Sequence, residues 1–138
     1  MISAVTLFRI RQAAELLGVS DDTVRRWADS GRLPTTTDDS GRQAIEGAVL
    51  AKFAEELAAE NPVSAPRINR QSARNHFTGL VTKVVRDTVM AQVEIQAGPF
   101  RVVSLMSREA ADDLGLVPGV LAVASVKSTN VVVEIPDS

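Results

Sequence analysis

Two short stretches in the C-terminal half carry side chains suited to holding a small anion. They are Ser72-Ala-Arg74-Asn75 and Val126-Lys127-Ser128-Thr129. Serine hydroxyls, an arginine fork, a lysine ammonium and turn amides are the donors that replace water around a tetrahedral oxyanion. The two stretches contain no cluster of base, nucleophile or metal ligands, so the chemistry that they indicate is binding rather than catalysis.

The N-terminal half has a spacing that suits two helices joined by a tight turn. Ala14 is small enough for close helix approach, Gly18 permits a positive φ in the turn, and Val24 fills the wedge between the helices. Such a second helix can reach guanine edges or phosphates in the DNA major groove. The residues that it would project toward DNA are Thr23, Arg25 and Arg26.

Composition limits the partners of the chain. The 138 residues include 15 basic and 17 acidic side chains, so the net charge of −2 provides no bulk attraction to nucleic acid. With no Cys and a single His, His76, the sequence excludes a disulfide framework and a Cys- or His-cluster metal site. Because the chain lacks a signal-peptide pattern and any run near the ~20 apolar residues of a membrane span, we expect a cytoplasmic protein with no membrane partner.

Apolar residues at helical spacing predict three helices within residues 8–59. The first contains Ile10 and stops at Gly18. Ser20 is the predicted N-cap of the second helix, which we expect to end at Gly31. A polar turn-rich loop and the third helix are predicted at residues 34–41 and 49–57.

Downstream of residue 72 the apolar period changes to two, which predicts strands. One short helix, 108–114, interrupts them. The predicted strands include residues 80–85, 89–95, 100–102, 120–126 and 131–135. Five strands and one helix are typical of a small barrel related to the OB-fold. Residues 61–71 contain two prolines and few apolar side chains, so we predict a linker between domains 1–60 and 72–138 in an α+β chain.

The N-terminal segment resembles the winged helix-turn-helix of MerR-type and excisionase-type regulators over about residues 7–58. The likeness includes the Trp-Ala-x-x-Gly-x-Leu-Pro stretch, residues 27–34, followed by Gly41-Arg42 and a further helix. It implies a β-hairpin wing with Arg42 at its tip as a phosphate or minor-groove contact, and Arg32 as a DNA backbone contact. Asp38 and Asp39 fall in the wing, where family members more often carry basic or neutral residues, and this lowers the expected affinity of the wing for DNA.

The C-terminal segment looks like the TOBE or Mop domain of molbindins and molybdate-responsive repressors. The likeness covers about residues 70–136 and includes SARN, VKST and, between them, the Leu-Gly-Leu-x-Pro-Gly stretch at residues 114–119. It implies that molybdate or tungstate is bound between two subunits, with no other metal. One subunit would contribute Ser72, Arg74, Lys127 and Ser128, and the other would contribute Ser107, which precedes the short helix.

Each of these residues also has a purely structural interpretation. Trp27 stands at core spacing beside Val24, so packing is a better explanation for it than base stacking, and Arg25-Arg26 could form a solvated surface. Ser72 and Asn75 could be turn formers, Lys127 a solvated strand end, and His76 a polar residue at a strand edge. Arg74 could pair with Asp112 or Asp113.

Together these features predict a DNA-binding transcriptional regulator that senses molybdate or tungstate and is not an enzyme. Because one Mop unit supplies only part of a site, we expect at least a homodimer, and paired heads would suit a palindromic operator in double-stranded DNA. The rival hypothesis is a molbindin-like storage or homeostasis protein whose helical head mediates oligomer or protein contacts. The balance of seven basic against ten acidic residues in 1–60 favours that rival modestly.

Overall fold

The computed structural model describes residues 5–61 and 73–137. Contacts divide the chain into two compact units, Met1–Pro62 and Val63–Ser138, and both helices and strands are present. Apart from Asn61, the predicted linker lies outside the described residues, as does Ser72. Within the described ranges, no helix combines the length and apolar character needed to cross a membrane.

The first unit contains three helices and a small three-stranded sheet. Its elements are β1 (Leu7–Arg9), α1 (Ile10–Leu17), α2 (Asp21–Asp29), β2 (Thr36–Thr37), β3 (Gln43–Glu46) and α3 (Gly47–Glu60). The three predicted helices are therefore confirmed. The second ends two residues before Gly31, with Ser30 as its C-cap.

Local chemistry explains the turn between α1 and α2. Gly18 ends α1 in the left-handed region at φ +71, a conformation that costs glycine little, and the amide of Val19 donates to the carbonyl of Ala14 at 3.0 Å. Ser20 then caps α2 as predicted, because its hydroxyl accepts from the amide of Thr23 at 3.2 Å. The acidic side chains that begin α2 lie at the positive end of the helix dipole.

The core of the first unit lies between these helices and the sheet. Val24, Leu33 and Ile45 are fully buried there. Trp27 packs against this core, and its ring lies 5.1 Å from that of Phe53 at an angle of 59°. Packing is thus the role of Trp27, and an aromatic pair of this kind stabilises by about 0.5–1.5 kcal/mol beyond the area that it buries.

A sheet of order β1-β3-β2 supports the helices of the first unit. β2 and β3 form an antiparallel hairpin in which Thr37 pairs with Gln43, which is the wing implied by the family resemblance. β1 pairs with the other side of β3, where Phe8 faces Ile45. The prediction that residue 8 begins a helical stretch was wrong, because residues 7–9 instead complete the sheet.

The second unit is a curled antiparallel sheet with one short helix. Its elements are β4 (Asn75–Arg86), β5 (Met90–Ala97), β6 (Phe100–Ser107), α4 (Arg108–Asp113), β7 (Leu121–Val126) and a 3₁₀ turn at Ser128–Asn130. The strand order is β6-β5-β4-β7, so β6 and β7 are the edges. The apolar core includes Val81, Val93 and Ala111.

Close packing fixes the path of β4 through the sheet. Gly79 pairs with Ala122 on β7, and a Cβ placed on Gly79 would lie 2.2 Å from the carbonyl oxygen of Gln96 on β5. Only glycine permits this approach between the backbones of β4 and β5. Gly79 is therefore required where β4 passes from one neighbour to the other.

The predicted five-stranded barrel is a four-stranded sheet in the described residues. The fifth predicted strand, residues 131–135, lies on neither edge of the sheet, and the side chains of Val132 and Val133 are 81% and 82% exposed. The alternation of its residues is that of a strand, but a strand forms only where a neighbour supplies a hydrogen-bonding edge. β6 and β7 are instead separated by an apolar groove of about 430 Å³.

Candidate functional site

The first candidate site is the exposed surface of α2 in the helix-turn-helix. Thr23 is half-buried, and its hydroxyl lies 2.9 Å from that of Ser20 and accepts from Arg26 Nη2 at 3.3 Å. Arg25 and Arg26 are exposed. The structure thus places the three predicted residues within one central turn of α2, where Thr23 and Arg26 contact each other.

The arginines of α2 are held only weakly within the protein. Arg25 Nη1 lies 3.4 Å from Asp22 Oδ1, and the two side chains are 56% and 90% exposed. A surface pair of this kind contributes roughly 0.2–1 kcal/mol, less than the gain from a charge-assisted bond to phosphate. Both guanidinium groups can therefore turn outward at little cost.

Arg32 has stronger partners within its own unit. Its Nη2 lies 2.5 Å from Glu60 Oε2, and its guanidinium stacks over the rings of Trp27 and Phe53 at 5.6 and 5.3 Å. These contacts tie the turn after α2 to the end of α3. The DNA backbone contact predicted for Arg32 stays a prediction, and phosphate would have to compete with Glu60 for it.

The wing carries the remaining predicted DNA contact. Arg42 is exposed at the tip of the β2–β3 hairpin, and its backbone is bonded to Asp38 through both the amide and the carbonyl. The sequence interpretation missed the role of Asp38. The signal was available, because an Asp followed by Asp-Ser-Gly is a turn in which the first carboxylate accepts from backbone amides.

The second candidate site begins at one end of the β4–β7 pair. Asn75 is paired with Val126 in this ladder, and its Nδ2 donates to the carbonyl of Val126 at 3.1 Å. Arg74 and Lys127 are the next residues outward on the two strands, and both are exposed. Because neighbouring strands lie about 4.8 Å apart, this register brings the backbones of Arg74 and Lys127 close together at the end of the ladder. Ser128 follows in the 3₁₀ turn.

Ser107 lies at the other end of the sheet. It is paired with Met90 on β5, and its hydroxyl caps α4 by accepting from the amide of Ala110 at 3.1 Å. Ala91, the neighbour of Met90, faces Arg86 at the far end of β4. Since β4 runs from Asn75 to Arg86, Ser107 and the Arg74–Lys127 pair are at opposite ends of the longest strand.

The structure bears on one interpretation left open for this half, the pairing of Arg74 with Asp112 or Asp113. Asp112 lies 2.9 Å from Arg86 Nε and 3.8 Å from Arg108 Nε, so it neutralises those arginines rather than Arg74. Among the ion pairs of residues 73–137, none involves Arg74 or Lys127. His76 Nδ1 lies 3.0 Å from the Ser125 hydroxyl across the ladder, in the part of β4 that pairs with β7 and not with β5.

Residues typical of metal centres are scattered. Within residues 5–61 and 73–137, no group of three His, Asp or Glu side chains is placed to hold an ion. The carboxylates have local roles, such as Asp87, whose pKa is lowered because the amides of Met90 and Val89 donate to it. The arrangement at Arg74 and Lys127 is cationic and suits an anion.

Comparison with solved structures finds molybdate-binding proteins that are similar to part of this chain. A molybdate-binding protein from Sporomusa ovata is 32% identical, covering 48% of this chain and 98% of its own, with a TM-score of 0.47. MopII from Clostridium pasteurianum is 33% identical, covering 48% and 100%, with a TM-score of 0.45. The cytoplasmic molybdate-binding protein ModG, in a molybdate-bound form, is 24% identical, covering 70% and 78%, with a TM-score of 0.48.

Comparison with families assigns both halves of the sequence. Comparison with curated proteins gives no match. A helix-turn-helix domain family matches residues 7–58, which span β1 to α3. The TOBE domain family matches residues 71–133, which include the Arg74–Lys127 pair and Ser107. The chain therefore joins a helix-turn-helix domain to a TOBE domain.

Proposed function

We propose that this protein is a transcriptional regulator that binds DNA through its helix-turn-helix domain and senses molybdate or tungstate through its TOBE domain. Oxyanion binding would change the spacing of paired DNA-binding heads on a palindromic operator. No catalytic step is part of this proposal. A cytoplasmic location follows from it, because both the operator and the ligand would be met there.

The proposed DNA interface consists of α2 and the wing. Thr23, Arg25 and Arg26 would enter the major groove, and Arg42 would contact phosphate or the minor groove beside it. Support comes from the exposure of the three arginines and from the weakness of the pairs that Arg25 and Arg26 make within the protein. We retain Arg32 as a backbone contact, made when phosphate displaces Glu60.

The proposed oxyanion site is built by two copies of the chain. The observation that carries this proposal is the separation of the cationic pair, Arg74 and Lys127, from Ser107 along β4. One dianion cannot touch both ends of a twelve-residue strand. A second copy can bring its Ser107 to the cations of the first, with Ser128 and the predicted Ser72 completing the donors.

An unpaired segment supplies a means of association. Val131, Val133 and Ile135 alternate with Val132 and Glu134, so three apolar side chains share one face of an extended segment. The groove between β6 and β7 is lined by apolar side chains such as Val102, Ala122 and Ala124. We propose that residues 131–135 of one copy add to the open sheet of the other.

Binding measurements on the full-length protein test this function. DNA duplexes selected from a random-sequence pool by the protein would be titrated by fluorescence anisotropy at several salt concentrations, with and without molybdate. We expect binding that weakens steeply with salt, and an affinity that shifts with molybdate but not with equal sulfate. Arg26→Ala should weaken DNA binding while leaving molybdate affinity, measured by calorimetry, unchanged.

The same experiment separates the regulator from its rival. A protein that binds molybdate but retains no duplex above background would be a storage or homeostasis protein, and the helical head would then serve protein contacts. A protein that binds duplex DNA with no response to molybdate would contradict the sensing role alone.

A further inference from the structure

Asp38 organises the tip of the wing. Its Oδ1 accepts hydrogen bonds from the Ser40 hydroxyl at 2.8 Å, the Ser40 amide at 2.9 Å and the Arg42 amide at 2.9 Å. Its own amide donates to the Arg42 carbonyl at 2.8 Å. Both polar groups of the Arg42 backbone are therefore held by Asp38, so this one residue fixes the point from which the Arg42 side chain leaves the hairpin.

The charge of Asp38 is compensated by donors of its own hairpin and by Arg9. The Ser40 hydroxyl, the Arg42 amide and nearby Arg9 lower the pKa of this carboxyl, so it stays ionised at neutral pH. Oδ2 lies 3.9 Å from Arg9 Nε, and the Asp38 side chain is only 18% exposed. Donors on several sides thus offset the negative charge that would otherwise repel a phosphate.

Asp39 carries the same charge as Asp38 but has different surroundings. It is exposed, and among the described residues its side chain makes no hydrogen bond or ion pair. Its charge is free to act on DNA through solvent. Two adjacent carboxylates therefore have opposite expected effects on a wing that approaches a polyanion.

We propose that Asp38 is a positioning residue of the DNA interface, which promotes binding by fixing Arg42 against phosphate, while Asp39 opposes binding. This inference rests on the proposed DNA-binding function. It reverses the expectation for Asp38 drawn from charge alone, under which any acidic residue in the wing weakens the complex. The sign of a single substitution therefore separates the two accounts.

The test uses full-length variants and the DNA duplexes selected by the parent protein. Asp38→Ala removes a negative charge, yet we expect it to weaken binding several-fold and to reduce the salt slope by about 0.9, the value of one lost phosphate contact. Asp38→Asn keeps an oxygen that accepts the same hydrogen bonds and should retain most of the parent affinity. Asp39→Asn, the matched control, should bind as tightly as the parent or more tightly.

A double-mutant cycle links the effect to Arg42. Arg42→Ala should lower affinity and salt slope to a similar extent as Asp38→Ala, and the double variant should lose little more, because both changes remove one contact. Thermal melting of each variant, monitored by circular dichroism, identifies any variant that is unfolded. If Asp38→Ala is unfolded, Asp38→Asn decides instead: an affinity no higher than that of the parent supports the positioning role, and clearly tighter binding, as charge alone predicts, overturns it.

The outcomes separate a failure of the role proposed for Asp38 from a failure of the proposed DNA-binding function. An Asp38→Ala protein that folds and binds DNA as tightly as the parent or more tightly overturns the positioning role. So do additive losses in the cycle. If the parent protein selects no duplex, the proposed DNA-binding function is overturned. If the parent binds DNA and the Arg42→Ala variant binds it equally tightly, the wing contact and the role of Asp38 are both overturned.

Discussion

Truncating one side chain in residues 131–135 should weaken the proposed association of two copies. Val133 lies on the apolar face of residues 131–135 and is 82% exposed in the single chain, so its contribution to the folded protomer is small. If this face enters the groove of a second copy, Val133→Ala deletes about two buried carbon groups at each of two equivalent sites. At about 0.8 kcal/mol per group, the loss is roughly 3 kcal/mol for a dimer.

A loss of this size is readily measured. It corresponds to a dissociation constant raised on the order of 100-fold, because about 1.4 kcal/mol changes an equilibrium tenfold. Sedimentation equilibrium of the full-length protein over a range of concentrations would report it. The matched control is Val132→Ala, which makes the same chemical change at an 81% exposed residue on the opposite face. We expect this control to leave the dissociation constant within a few-fold of the parent value.

Equal effects of the two substitutions would refute the reasoning. If neither changes the dissociation constant, the segment does not mediate association. If both raise it equally, the alternation of residues 131–135 does not define an inward face. Melting temperatures of the two variants, compared at a concentration where the parent is dissociated, show whether either substitution acts on the protomer itself.

Further predictions concern individual residues. Gly79→Ala should lower the melting temperature of the protein, because its Cβ would lie 2.2 Å from the Gln96 carbonyl, and calorimetric unfolding would measure the change. Arg32→Ala should also destabilise the protein through loss of the Glu60 pair and ring contacts, while Arg32→Lys should recover only part of that stability. A salt slope unchanged by Arg32→Ala would contradict its DNA contact. Asp87 has a lowered pKa in the folded state, so its stabilising contribution is present above the ordinary value of 3.8 and is lost as pH falls through the folded value. Acid unfolding of Asp87→Asn should therefore be less steep than that of the parent, and identical pH profiles would contradict it.

Local signals in the sequence predicted most of the elements. The helix boundaries at Gly18 and Ser20 follow from capping chemistry that acts within a few residues, and the strands of the TOBE domain follow from β-branched alternation. Strand β1 was missed because its partner, β3, is more than thirty residues away in the chain. Pairing at that distance leaves no periodic signal in three residues.

The failure at residues 131–135 has a different cause. The apolar alternation is correct for a strand, but no edge of the sheet accepts the segment within the described protomer. A sequence pattern reports which side chains need burial, not which chain provides the partner. The error in the predicted number of strands and the proposed association therefore have the same cause, which is that residues 131–135 have no partner strand within the described residues of one copy.

The candidate sites were predictable as residue types but not as arrangements. The motif around Arg74 and Lys127 was visible in the sequence, whereas the placement of Ser107 at the far end of β4 depends on the register of three strands. The partners of Arg32 depend equally on the packing of Trp27 and Phe53. Side-chain contacts of this kind arise between elements distant in sequence.

A complementation experiment tests the two-copy oxyanion site most directly. Lys127→Ala removes a cation from one half-site, and Ser107→Trp obstructs the other, so each variant alone should lose molybdate binding in titration calorimetry. When the two variants are co-expressed, half of the dimers contain one chain of each. Each of these mixed dimers has two sites, one of which carries neither substitution. About one quarter of the parent's sites should therefore return, with parent-like affinity. Recovery of no sites, with both variants folded and mixed dimers present, would contradict a site shared between copies.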